Sequence, residues 1–161
     1  MKQQEKTLSN FQVIGITTRT SNADEMKGAG KIGDLWKRFY AEGIVDQIPS
    51  KTDHSIFAVY HAYESNKNGA YSITLGCKVE TGTQPPAGMD VLKIPAQNYA
   101  QFTTTKGPMP QIVIETWQNI WMQEDHSKLK RQYTYDFEVY DQRSADPRSS
   151  EVDIYIALKP S

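Results

Sequence analysis

The chain has few of the residues that build disulfides or metal cages. Its 161 residues include a single cysteine, Cys77, which excludes an internal disulfide and a thiolate-bound metal. Because Cys77 lies in YSITLGCKV, a segment typical of a β-strand, we interpret it as a small buried hydrophobic residue. The three histidines, His54, His61 and His126, have no metal-ligand spacing, and we predict surface or loop positions for them. The sequence therefore predicts no metal and no cofactor.

The chain also lacks an excess of charge of either sign and any long apolar run. With 18 Lys and Arg against 19 Asp and Glu its net charge is −1, so no basic surface is available for nucleic acid phosphates. No apolar segment approaches the roughly 20 residues that span a bilayer. The first residues, MKQQEKTLSNFQV, lack the apolar core of a signal peptide. We expect a cytoplasmic protein with neither a nucleic acid nor a membrane as partner.

Motifs of well-known catalytic sites are missing as well. No G-x-S-x-G elbow, Walker loop or dinucleotide-binding glycine pattern is present. GAGKIG at residues 28–33 lacks the Ser or Thr and the spacing of a phosphate loop, and its glycines favour a flexible helix entry. Asp136 and Glu138 could form a carboxylate dyad for acid–base work, but Glu115 or Asp153 would be equally eligible. The sequence does not predict an enzyme.

Aromatic residues are abundant by contrast, and the secondary-structure signals follow the order β-α-β-β twice. The chain has 3 Trp, 9 Tyr and 5 Phe. Runs of β-branched residues predict strands, apolar residues at helical spacing predict helices, and Asn68-Gly69 favours a hairpin turn. The predicted elements are a strand at 11–20, a helix at 31–43 and strands at 55–63 and 70–79, then a strand at 94–105, a helix at 111–125 and strands at 134–141 and 150–159.

The two halves keep nearly the same register, which indicates an internal duplication. Trp36 and Trp117, Phe57 and Phe137, and Ile73 and Ile154 are each separated by 80 or 81 residues. The Pro- and Gly-rich segment 80–90 is predicted to connect the halves. We predict one domain, residues 1–161, that contains pseudo-repeats at about residues 10–80 and 92–159. Two such units would most simply join through their sheets.

One strand of the second half, DFEVYD, carries a carboxylate that its counterpart lacks. Alternation places Phe137 and Val139 on one face and Glu138 and Tyr140 on the other. The matching tetrapeptide of the first half, FAVY, has Ala58 in the place of the glutamate. A solvated strand position would explain Glu138 equally well, as would an ion pair with one of the arginines Arg131, Arg143 and Arg148.

Six segments in order resemble a known family. GITTRTSN, IGDLWKRF, YSITLGCKV, IPAQNYAQF, TWQNIWMQ and DFEVY followed by DIYIAL are similar to the effector-binding domain of AraC-type and MerR-type drug-responsive regulators, also found as stand-alone gyrase-inhibitor-like proteins. The resemblance implies an α+β fold with a duplicated βαββ unit, antiparallel sheets, two main helices and an aromatic ligand pocket between the halves. It also implies an acidic pocket residue at Glu138. Neither end of the chain is expected to hold a DNA-binding helix-turn-helix.

An aromatic pocket with one buried carboxylate suits an amphipathic organic cation. A buried carboxylate is costly without a partner, and aromatic faces attract a cation while they remove its hydrocarbon from water. The strand and helix faces predict which side chains line such a pocket, although an aromatic stripe is also typical of an ordinary core. The candidates are Glu138, Trp117, Tyr140, Tyr60, Trp36, Tyr40, Trp121, Tyr71 and Tyr155.

Three hypotheses for function stay open at this point. The first is non-enzymatic binding of amphipathic cations, as a sensor or for sequestration, with a separate regulator or a second copy of the chain as a possible partner. The second is a protein-interaction module of the gyrase-inhibitor type, which would dock a partner at a hairpin or sheet edge. The third is a small hydrolase in which Glu138 and Tyr140 hold a water molecule.

Overall fold

The computed structural model describes all 161 residues, Met1–Ser161. It contains eight β-strands, four α-helices and one short 3-10 helix. The strands are β1 (Lys2–Leu8), β2 (Phe11–Ser21), β3 (Ile56–His61), β4 (Ala70–Val79), β5 (Asp90–Ile94), β6 (Gln97–Thr103), β7 (Asp136–Tyr140) and β8 (Asp153–Ala157). The helices are α1 (Asn22–Met26), α2 (Ile32–Ala41), α3 (Ile44–Gln47), α4 (Gln111–Asp125) and the 3-10 helix Gln142–Ser144.

All eight strands form one antiparallel sheet in the order β1-β6-β8-β7-β3-β4-β2-β5. The first unit, β2-α2-β3-β4, and the second, β6-α4-β7-β8, have the same internal order. They meet where β3 pairs with β7 in the middle of the sheet. The predicted α+β fold with a duplicated βαββ unit is therefore confirmed.

The pairing of β3 with β7 places one pair of equivalent residues of the two units directly opposite each other. Ala58 lies directly opposite Glu138, and the pairs on either side are Phe57 with Val139 and Val59 with Phe137. Ala58 is fully buried and Glu138 is 3% exposed. The single carboxylate thus lies at the centre of the sheet, on the local axis that relates one unit to the other.

Each unit also receives an edge strand from the other half of the chain. β1 precedes β2 in sequence but pairs with β6, from Lys2 opposite Thr103 to Leu8 opposite Gln97. β5 precedes β6 but pairs with β2. The sequence analysis missed β1, since KQQEKTL is mostly polar and largely exposed and shows no alternation that marks a buried face.

The two long helices cover the same face of the sheet that carries Glu138. Leu35 and Phe39 of α2 pack in a cluster with Ala58, and Ile120 of α4 packs in a second cluster with Ile154. A third cluster, centred on Phe11, Phe57, Phe137 and Tyr99, fills the opposite face. Burial of these side chains stabilises the sheet on both faces, at about 1.5–3 kcal/mol for each large apolar side chain.

Three local predictions differ from the structure. No element was predicted between the strand at 11–20 and the helix at 31–43, but the structure has α1 there, and Ser21 caps it by accepting a hydrogen bond from the backbone N–H of Asp24 at 3.2 Å. The connection from β3 to β4 is an eight-residue loop, 62–69, rather than a tight Asn-Gly turn. The strand predicted at 94–105 begins at Gln97 as β6, because Pro95, which has no N–H to donate, separates it from β5.

Candidate functional site

A cavity of about 1250 Å³ lies above the centre of the sheet, and both halves of the chain line it. Side chains from α1, α2, β3, β4, α4 and β7 reach it, together with the 3-10 helix. The structure brings eight of the nine predicted site residues to this cavity: Glu138, Trp117, Tyr140, Tyr60, Trp36, Tyr40, Trp121 and Tyr71. The exposed ring of Tyr40, with 64% of its surface accessible, marks the mouth of the cavity.

Glu138 accepts three hydrogen bonds, all from neutral aromatic donors. The Tyr140 hydroxyl donates to Oε1 at 2.7 Å. Trp117 Nε1 donates to Oε2 at 2.7 Å, and the Tyr60 hydroxyl donates to the same oxygen at 3.0 Å. These bonds orient the carboxylate and partly compensate its loss of water, but none of them supplies a positive charge.

The pKa of Glu138 is raised above its usual value because burial disfavours the charged form. The hydrogen bonds from Tyr140, Trp117 and Tyr60 oppose this shift, since they stabilise the carboxylate. The same burial, together with the charge of Glu138, raises the pKa of the Tyr60 and Tyr140 hydroxyls well above the usual range. Both phenols therefore stay protonated and act as donors.

Neither alternative interpretation of Glu138 agrees with the structure. With 3% exposure the side chain is not solvated. The three arginines considered as ion-pair partners bind other carboxylates: Arg131 binds Asp136 at 2.7 Å, Arg143 binds Asp141, Glu151 and Asp153, and Arg148 binds Asp146. Glu138 is a buried acid without a cationic partner in the protein.

One aromatic wall of the cavity is built around Trp117 of the second half and includes two tyrosines of the first half. The Trp117 ring packs edge-on against Tyr60, with centroids 5.2 Å apart, and lies 6.2 Å from Trp121. Tyr60 in turn packs against Tyr71 at 5.5 Å. The indole N–H that binds Glu138 fixes Trp117 in this wall, so its ring offers a rigid apolar surface next to the carboxylate.

The first half contributes a second wall on the other side. The Trp36 ring packs edge-on against Tyr140 at 5.2 Å and stacks on Tyr40 at 5.9 Å. Trp36 forms no hydrogen bond with Glu138 and is only half-buried. Trp36 and Tyr40 are four residues apart on α2 and therefore lie on the same face of the helix, over the cavity.

Tyr155 is the predicted site residue that the structure does not bring to the cavity. Its ring stacks on Phe137 at 4.7 Å and packs against Tyr99 at 6.0 Å, within the cluster on the opposite face of the sheet. The register explains the error: Tyr155 is paired with Phe137, whereas its neighbour Ile154 is paired with Glu138. Successive residues of a strand point to opposite faces.

A second buried polar network at the cavity wall was not predicted. Arg131 is 3% exposed, pairs with Asp136, and stacks over the Tyr133 ring at 4.3 Å. The Tyr63 hydroxyl also donates to Asp136, at 2.5 Å. Because Asp136 is occupied in this way, it does not act with Glu138 as a dyad. The contacts come from separate elements, so no local pattern reveals them.

The remaining predictions concern isolated residues. Cys77 is buried in β4, and burial raises its thiol pKa to about 11, in keeping with a structural role. His54 and His126 are exposed in non-regular segments. His61 is instead half-buried at the end of β3, where it hydrogen-bonds Thr74 and burial lowers its pKa to about 4. None of the helices is both long and apolar enough to cross a membrane.

The fold and the aromatic cavity above its sheet define an effector-binding protein. Residues 6–158 match the model of the Cass2 family, described as integron-associated effector binding protein, and the chain belongs to this family.

Similar proteins carry related descriptions. YobU of Bacillus subtilis (strain 168), a candidate transcriptional regulator, is 37% identical over 146 residues, which cover 90% of each chain. The integron cassette protein VCH_CASS2 of Vibrio cholerae is 32% identical, with a TM-score of 0.75 over 98% of this chain and 95% of that one. The structure of SAV2435 bound to tetraphenylphosphonium has a TM-score of 0.77 at 17% identity, over 99% of this chain and 94% of the other.

Proposed function

We propose that this protein reversibly binds amphipathic organic cations in the central cavity, with Glu138 as the counter-ion. The observation that carries the proposal is a buried carboxylate that is held by three neutral donors and has no cationic partner. A buried charge of this kind costs several kcal/mol unless it is protonated or paired. A ligand with a positive charge on an apolar body supplies the missing partner.

The aromatic walls favour the same ligand class. A cation over the face of a Trp or Tyr ring gains roughly 0.5–2 kcal/mol, and the apolar body of the ligand gains from burial against the rings. The walls on both sides of Glu138 offer such faces at Trp36 and Trp117. Broad, ring-lined surfaces accept lipophilic cations of several shapes, because neither attraction requires a fixed hydrogen-bond geometry.

The ligand of a structural neighbour fits this chemistry. Tetraphenylphosphonium, the molecule bound by SAV2435, is a lipophilic organic cation. At 17% identity that protein shows the fold alone, so the proposal rests on Glu138 and the rings of the present cavity.

We also propose that the cavity binds without turnover and serves a sensor or a sequestering protein. General-base catalysis needs a carboxylate that is free to take a proton from a held water. Here Oε2 already accepts from Trp117 and Tyr60, and Oε1 accepts from Tyr140. The raised pKa of Tyr140 keeps its hydroxyl protonated, so it does not serve as the base either. The arrangement fits a preformed anionic subsite better than a catalytic one.

The predictions of a homodimer, of a separate regulator as partner and of a gyrase-inhibitor-type interaction stay predictions.

A tryptophan-fluorescence titration tests the proposal. Tetraphenylphosphonium and the neutral triphenylphosphine oxide would be titrated at fixed salt and pH into the wild type, Glu138→Gln and the control Glu80→Gln, an exposed glutamate outside the cavity. We expect the wild type and Glu80→Gln to prefer the cation by about tenfold or more and Glu138→Gln to lose that preference. Equal binding of both compounds by the wild type would refute the proposal.

A further inference from the structure

The cavity has a second carboxylate without a cationic partner, Glu25 of α1. Its Oε2 accepts a hydrogen bond from the Thr20 hydroxyl at 2.6 Å and another from the backbone N–H of Lys31 at 2.7 Å. Both bonds are made to the same oxygen, and Oε1 has no hydrogen-bond partner. The side chain is half-buried and lines the cavity. Glu25 is therefore held in place by neutral donors, as Glu138 is.

The positive side chains of the cavity wall are already paired with other acids. Lys67 forms an ion pair with Asp125, and Arg131 forms one with Asp136. Lys67 and Arg131 both line the cavity, but neither forms an ion pair with Glu25 or Glu138. The third acidic residue of the lining, Asp141, binds Arg143 at 2.9 Å. Glu25 and Glu138 are thus the two carboxylates of the lining that have no ion-pair partner.

A row of tyrosines connects the two carboxylates. Tyr60 donates to Glu138, and its ring packs against Tyr71 at 5.5 Å. The Tyr71 hydroxyl donates to Asn22 of α1 at 3.0 Å. Asn22 and Glu25 are three residues apart on α1 and so lie on the same side of that helix. The negative charges of Glu25 and Glu138 both add to the burial that raises the pKa of Tyr71, which agrees with its position between them.

We propose that the cavity selects elongated dications, with one positive group at Glu138, the other at Glu25, and an apolar linker along Tyr60 and Tyr71. The inference rests on the proposed function and extends it from a charge preference to a ligand shape. A ligand with a single charge leaves Glu25 unpaired, whereas a dication neutralises both acids. The linker buries hydrocarbon against the two tyrosine rings on the way.

Matched benzamidines test this ligand shape. Bis-benzamidines joined by alkyl linkers of increasing length would be compared with analogues in which one amidine is a neutral carboxamide. Titrations would use the wild type, Glu25→Gln, Glu138→Gln and the exposed control Glu80→Gln. Glutamine at position 25 keeps an acceptor oxygen for Thr20 and Lys31, so the fold is expected to persist. Thermal unfolding of each variant checks this.

We expect the wild type to bind a dication of suitable length about fivefold to tenfold more tightly than its monocationic analogue. Glu25→Gln should remove this advantage, whereas the exposed control Glu80→Gln should keep it. A wild type that binds both series equally, or an advantage that survives in Glu25→Gln, would overturn the inference while the proposed function stands. If no member of either series binds, the proposed function fails and the inference with it.

Discussion

The two halves of the molecule have the same order of elements but different chemistry. Trp117 of α4 donates its indole N–H to Glu138, whereas Trp36, at the matching place on α2, packs on Tyr140 and stacks on Tyr40. Ala58 lies where the second half has Glu138. The second half thus holds the charge, and the first half provides space and a ring surface. A duplicated scaffold can carry one carboxylate at its centre only if the copies differ at that position.

The largest effect is expected if the first half also receives a carboxylate. Ala58→Glu would place two buried acids face to face across the β3–β7 pair, and we expect a loss of about 3 kcal/mol or more in unfolding free energy relative to Ala58→Gln. Urea unfolding near neutral pH measures it. The loss should shrink at lower pH, where the two acids share a proton. Equal stability of both variants at all pH values would show that charge at this position is unimportant.

The pH dependence of cation binding tests whether Glu138 of the second half acts as the counter-ion. The raised pKa means that Glu138 becomes protonated at a higher pH than an ordinary glutamate. Cation affinity should be full above this pKa and fall by about tenfold for each pH unit below it. Tetraphenylphosphonium titrations across the pH range test this for the wild type, with Glu138→Gln as a flat control. Constant wild-type affinity from about pH 8 to about pH 4.5 would contradict the counter-ion role.

Matched substitutions of the two tryptophans distinguish the contributions of the two cavity walls to cation binding. Trp117→Phe removes a hydrogen bond to the carboxylate, so the pKa of Glu138 should rise further and cation affinity near neutral pH should fall by roughly 1 kcal/mol. Trp36→Phe keeps a ring in the other wall and should leave the pH midpoint of binding unchanged. Titrations of both variants at several pH values measure this midpoint. A shift of similar size in both would mean that the indole N–H has no special effect.

Tyr155→Phe provides the smallest expected effect. The Tyr155 ring lies on the face opposite the cavity and its hydroxyl has no hydrogen-bond partner, so cation affinity should equal that of the wild type. Stability should change by no more than about 0.5 kcal/mol. Tyr60→Phe, which removes a donor to Glu138, is the matched comparison on the cavity face. Weaker binding by Tyr155→Phe would show that the two faces of the sheet communicate.

Sequence patterns predicted the parts of this structure that follow from local periodicity. The two units, the faces of α2 and α4, and the unusual position of Glu138 were all visible in this way. The register between the halves could have corrected the prediction for Tyr155. The offset of 81 residues matches Tyr155 with Thr74, which lies three positions from Tyr71 and therefore on the opposite face of β4. Successive strand residues alternate between faces, so a register error of one or three positions moves a side chain from the cavity face to the opposite face.

The other missed features depend on contacts between distant segments. The edge strand β1 is polar along its whole length, so only its partner β6 reveals it. In the sequence, Arg131 is an ordinary loop arginine and Asp136 an ordinary strand acid. Only the fold shows that both are buried and form an ion pair. Glu25 likewise lies on a five-residue helix whose sequence gives no sign that it faces a cavity. Tertiary contacts, not local propensity, define these positions.

The exchange of edge strands between the halves affects the order in which the chain folds. β1 pairs with β6, almost a hundred residues later in the chain, and β3 pairs with β7, so these two pairings join segments that are distant in sequence. Contacts of this kind form late and slow the folding of a domain. A nascent chain that has been synthesised only as far as β5 lacks Glu138 and the wall that contains Trp117 and Trp121. Ligand capture therefore begins only after the second half has been synthesised and has joined the first.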